Sequence, residues 1–157
     1  MEENYKDEMI VIDNVNRYNE IFGLETKHPL VSIIDLTKAT TWPTRAWFRY
    51  EVYALFLKNV KCGDIKYGRQ YYDYQDGTIV CFGPGQITDL ELIQNIQPNA
   101  HGLLFHPDLI RGTSLGQEIK NYSFFSYETN DALHLSEEEP QIVMDCLQKI
   151  AIVLHHA

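Results

Sequence analysis

The chain has 157 residues and a formal charge of −9, from 22 Asp and Glu against 13 Lys and Arg. A chain of that length buries about 70% of its unfolded surface without disulfides, so a cystine-stapled mini-fold is excluded and a single domain over 1–157 is expected. The charge excludes duplex DNA as a direct partner, because DNA is held through Lys and Arg that displace counterions from its phosphates.

After a charged start (1–8), Met9-Ile10-Val11-Ile12 reads as a short strand. Asp13 or Asn14 then caps a brief helix whose Val15, Tyr18, Ile21 and Phe22 share one side before Gly23 stops it. His28-Pro29 opens a strand from Leu30 to Leu36, and the polar stretch Thr37–Trp47 reads as a loop that Trp42 and Trp47 anchor or use to cover an opening. Tyr50–Lys58 is apolar on both faces, which predicts a long wall strand covered on both sides. Cys62-Gly63-Asp64 makes a turn before Ile65–Gln70 leads into the central stretch.

That stretch, Tyr71–Gln86, reads as a hairpin. Tyr72 and Tyr74 share a face, Gln75-Asp76-Gly77 reverses the chain, and the β-branched run Thr78–Phe82 returns until Gly83-Pro84-Gly85 ends it. Ile87–Ala100 is one strand plus a loop, and Gly102–His106 is the last wall strand. Pro107-Asp108 begins a helical turn, Thr113–Lys120 is a short helix, and Ser136 with Glu139 forms a capping box for one long helix. In that helix Ile142, Val143, Cys146, Leu147, Ile150, Val153 and Leu154 make an apolar stripe, with Gln141, Asp145, Gln148 and Lys149 opposite.

Two segments carry a resemblance: Gly77–Gln86 and Phe105–Gly116, the latter within Leu103–Gly116 and followed by Tyr122-Ser123-Phe124-Phe125-Ser126-Tyr127. They are similar to the amino-terminal sensor domain of AraC-type bacterial transcription regulators, over roughly residues 30–154. The resemblance implies a mainly β fold, a cupin-like (double-stranded β-helix or jelly-roll) barrel over about 28–110, followed by a short and a long helix in about 111–157. It also implies a small-molecule effector, a sugar or another metabolite, and a homodimer formed through the long helix at Ile142, Val143, Cys146, Leu147, Ile150 and Leu154; the alternative is that this stripe packs on the barrel of its own chain, and one helix can do both with adjacent sides. DNA is reached only through a carboxy-terminal helix-turn-helix domain absent from this chain, so the sequence is expected to end before that half. The candidate ligand residues are Trp42, Arg49, Tyr53, Arg69, Tyr72, Tyr74 and Phe82, aromatics for stacking and cations for orientation. Alternation puts Tyr72, Tyr74, Val80 and Phe82 on one face, while Tyr53 and Leu55 meet them or face outward.

Catalytic patterns are not found. Cupin metal sites use a His-x-His pair with a nearby Glu, whereas His101 and His106 are five apart and so point to opposite faces of a strand. There is no Gly-x-Ser-x-Gly elbow, Gly83-Pro84-Gly85 lacks the Lys-Ser/Thr of a phosphate loop, and the three cysteines are spaced as reduced thiols. The expectation is a non-enzymatic sensor with no cofactor and no metal; the alternative is a small cupin enzyme, an isomerase or a metal-dependent oxygenase. The opening Met-Glu-Glu-Asn lacks a signal-peptide pattern and no apolar run spans a bilayer, so a cytoplasmic location is expected, bacterial by the resemblance.

Overall fold

The computed structural model describes residues 9–58, 63–67, 70–71, 77–122, 125, 133–136 and 138–156. The first strand, β1 (Met9–Ile12), hands the chain to helix α1 (Val15–Phe22). Asn14 caps that helix by accepting the Arg17 N–H at 2.8 Å. Gly23 ends it at φ 66°, where a Cβ would run into the Thr40 hydroxyl. Its apolar side, Val15, Tyr18 and Phe22, is buried in the main core.

Nine further strands follow among the described residues: β2 (Val31–Asp35), β3 (Arg45–Tyr50), β4 (Tyr53–Lys58), β5 (Gly63–Tyr67), β6 (Gln70–Tyr71), β7 (Thr78–Phe82), β8 (Ile87–Leu92), β9 (Ala100–Phe105) and β10 (Leu133–His134). They form two sheets, one in the order β1-β3-β8-β5-β6 and the other β10-β7-β4-β9-β2. The pairing of β1 with β3 is parallel, and the other pairings are antiparallel. The chain changes sheet at almost every step, so neighbours in space are distant in sequence.

Two expectations are corrected here. The continuous strand predicted over Tyr50–Lys58 is two, because the chain bends at Glu51-Val52 and passes from one sheet to the other. Glu51 donates its N–H to the Ile12 carbonyl at 2.9 Å and Tyr50 to Gln86 at 2.8 Å, so backbone partners hold a corner that contains no Gly or Pro. Trp47 accordingly lies within β3 rather than in a loop. The predicted central hairpin is also divided: β7 pairs with β4 and β10, whereas β6 pairs with β5 in the opposite sheet. Tyr72 and Tyr74 lie outside the described residues.

Alternation then builds two apolar layers. Phe48, Tyr50, Ala54, Phe56, Val80, Phe82, Leu90 and Leu104 point between the sheets, in one core with α1. The second sheet is also apolar on its outer face, where Leu57, Ile79 and Cys81 form one cluster and Val31, Tyr53 and Phe105 another. Helix α3 (Glu139–His156) covers that face together with Ile110, Ile119, Tyr122 and Phe125 from either side of the short helix α2 (Ser114–Glu118). This is why β4 and β7 carry apolar residues at consecutive positions, as the double-sided burial of Tyr50–Lys58 predicted. Burial pushes the Cys81 thiol up to about 12.

Gly102 is fixed by close packing. It sits opposite Phe56, whose ring carbon would lie 2.5 Å from an added Cβ, with the Leu55 carbonyl oxygen at 2.8 Å. Gly102→Ala is therefore expected to destabilise the fold by about 1–3 kcal/mol, the usual penalty for overpacking. Urea unfolding reads it, and a loss below about half a kcal/mol would mean the ring moves aside freely.

The carboxylate half of the predicted capping box is present at the start of α3: the Glu139 N–H meets the Ser136 carbonyl, while Ser136 donates its backbone N–H to Glu139 Oε1 at 2.8 Å. That backbone hydrogen bond holds the Glu139 carboxyl below its ordinary value of 4.5. The stabilisation is complete above the ordinary value and disappears as pH falls through the lowered one. Thermal melts of the native chain and Glu139→Ala should therefore differ at neutral pH and converge in acid. A gap that persists unchanged at low pH would assign the effect to helix propensity instead.

Candidate functional site

Among the described residues, the space between the sheets, expected to hold a ligand, is taken up largely by side chains. A cavity of about 20 Å³ lies there, lined by Tyr18, Tyr50, Phe56, Lys58, Phe82 and their neighbours, which is room for roughly one water. Phe82 is 1% exposed and stacks on Tyr50 at 5.0 Å, and burial drives the Tyr50 phenol well above its ordinary range. Lys58 is buried beside them, its ammonium 5.7 Å from the centre of the Phe56 ring.

The described candidate ligand residues do not converge. In the β4–β7 register Ala54 faces Phe82, so the two point inward while Tyr53, one position away, points out of the sheet. There Tyr53 stacks on Phe105 at 5.1 Å and meets the edge of Phe125 at 5.3 Å. Arg49 is exposed on the outside of the first sheet and pairs with Glu51 at 3.0 Å. Trp42 packs at the border of the core, its indole N–H 3.4 Å from the Ile93 carbonyl, which makes it a loop anchor. Arg69, Tyr72 and Tyr74 are outside the described residues.

Helix α3 is where unused surface collects. Its Val143 and Met144 pack on the Leu57–Ile79–Cys81 cluster, Leu147 is buried, and Leu154 packs on Val31, Phe105 and Ile110. The predicted pairing stripe therefore divides into two. Val143, Leu147 and Leu154 are taken up by their own chain, a correction that follows from the apolar outer face of the sheet. Ile142 and Val153 remain 58% and 67% exposed, Cys146 is exposed, and Ile150 is half-buried. These four run along one side at steps of four, four and three residues. Val153 belongs to this side by its helical angle, and plotting the stripe at 100° per residue separates the two sides.

Two grooves flank the helix. One, of about 390 Å³, lies towards β2 and is lined by Lys27, Asp35, Lys38 and His101 over an apolar floor. His101 Nδ1 is 3.8 Å from the Asp35 carboxylate, which also accepts the Thr37 N–H at 3.0 Å. The other, of about 580 Å³, lies towards α2 and is almost wholly apolar. Leu109 and Leu115 on its wall are 40% and 41% exposed.

Among the described residues no group of three or more His, Cys, Asp or Glu is placed to hold a metal ion. No described helix is long and apolar enough to cross a membrane. No protein-family model matches the chain, and no curated protein is significantly similar to it.

Proposed function

We propose that this chain is the sensor and dimerisation domain of an AraC-type transcription regulator, pairing through the side of α3 turned away from its own sheet. The observation that carries the reading is the strip of Ile142, Cys146, Ile150 and Val153, apolar yet largely uncovered and next to the packed side of the same helix. The strand order supports the scaffold: β7-β4-β9-β2 facing β3-β8-β5-β6 is the order of a jelly roll built from two Greek keys, the architecture that cupins use.

Charge favours an antiparallel pair. Lys149 lies beside the strip, and in a parallel arrangement it would meet its own copy. An antiparallel arrangement brings it towards Asp145 of the other helix instead.

The effector half of the proposal rests on the resemblance. A sugar or other metabolite entering between the sheets has to open space that Tyr50, Phe56 and Phe82 fill, and this opening is the conformational change that a ligand would favour. DNA is bound by a separate domain in this reading. The competing enzyme reading calls for imidazoles and acids converging between the sheets, where the described inward positions carry mostly rings and aliphatic chains. Sedimentation velocity over a wide concentration range tests the pairing: a reversible dimer is expected, and a strict monomer at the highest concentration removes the proposal.

A further inference from the structure

We infer that the groove between α3 and the α2 segment is a binding site for a lipophilic monocarboxylate, its alkyl chain lying in the trough and its head group meeting Lys149 and His28. Nine of the eleven side chains that line the groove are aliphatic or aromatic, among them Leu103, Phe105, Leu109, Leu115 and Val153. The remaining two are His28 and Lys149, so the lining offers hydrogen-bond donors and a positive charge but no carboxylate.

Their chemistry selects the sign of the head group. His28 Nδ1 accepts the Leu30 N–H at 3.0 Å, which puts the ring proton of the neutral imidazole on Nε2 and makes that nitrogen a donor. Of the acids near the groove, Asp108 is paired with the Arg111 guanidinium, and Asp145 sits outside the lining. In a chain of charge −9 the lining of this groove carries no carboxylate. A carboxylate is attracted there and a cationic head group gains nothing.

Size points the same way. A trough of about 580 Å³ leaves Leu109, Leu115 and Val153 from 40% to 67% exposed. An alkyl chain covers them without requiring a polar partner along its length. Ile150 and Val153 belong both to this groove and to the pairing strip. If the dimer proposed above holds, carboxylate binding and pairing are therefore linked, and each changes the affinity of the other by the same factor.

Isothermal titration of the full chain with octanoate, decanoate and decyltrimethylammonium tests the site. Burial of each methylene predicts about fourfold tighter binding, hence about fifteenfold from octanoate to decanoate. The ammonium of equal chain length should bind at least about tenfold more weakly than decanoate. Lys149→Glu should reverse that preference. Leu109→Glu, at an exposed position that leaves the fold intact by circular dichroism, should abolish decanoate binding. Affinity independent of chain length, equal binding of the cation, or an unaffected Leu109→Glu overturns the proposal. So does a groove covered by a second copy, which shows as loss of pairing in Leu109→Glu with no decanoate binding in the native chain. Sedimentation separates the two proposals: a monomer that binds decanoate refutes pairing alone, and a dimer that ignores decanoate refutes the site alone.

Discussion

Phe82→Ala is expected to lower the free energy of unfolding by about 3–5 kcal/mol, a large share of the roughly 5–15 kcal/mol typical of a domain. The ring is 1% exposed, stacks on Tyr50 at 5.0 Å with planes 13° apart, and meets Phe56 at 6.5 Å. Its removal costs both the transfer of the ring from water and the void left behind, since partners on opposite sheets cannot collapse inward without dragging their strands. Urea unfolding monitored by fluorescence and circular dichroism gives the number. A loss of less than about 1.5 kcal/mol would mean that the interior is loosely filled and already yields space, which would strengthen the case for a ligand between the sheets.

The second large effect concerns pairing. Ile142→Asp combined with Val153→Asp places two carboxylates on the uncovered strip and should convert the dimer to monomer, weakening association by about 1,000-fold or more if each site is worth 2 kcal/mol or more. The same substitutions should change unfolding stability of the monomer by only about half a kcal/mol each, because the two side chains are 58% and 67% exposed in the single chain. Leu147→Asp is the contrast: that side chain is 5% exposed, and a charge there should unfold the protein rather than merely separate it. Sedimentation and thermal melts on the same samples distinguish the three cases. An unaltered dimer in the double variant would place the interface elsewhere.

Much of the fold was legible because its signals are local. The Asn14–Gly23 helix, the strand at Thr78–Phe82, the turn at Gly83-Pro84-Gly85 and the Ser136–Glu139 cap all announce themselves through residues that only a few backbone conformations accommodate. The corner at Glu51-Val52 did not, since nothing in those two residues breaks a strand and the bend is imposed by partners from β1 and the Gly83–Gln86 turn. Sheet membership was hidden for the same reason: β6 and β7 are near in sequence, yet their partners lie elsewhere in the chain. At the site, alternation grouped Val80 with Phe82 but left the face of Tyr53 open, which the β4–β7 register settles by placing Ala54 opposite Phe82. The helix stripe was visible, while its division into a packed and an open side depends on where the outer face of the sheet presents Leu57 and Phe105.

The alternation of the chain between sheets has a consequence during translation. Val31 pairs with Phe105, so strand β2 waits for more than seventy further residues to leave the ribosome before its neighbour β9 exists. Until then a growing polypeptide carries Phe48, Phe56 and Phe82 without a closed interior to receive them. Slow, late closure is what such distant pairing entails. A nascent chain of this kind should depend on holdase chaperones in the cell, and arrested translation near Asn99 should leave an aggregation-prone intermediate.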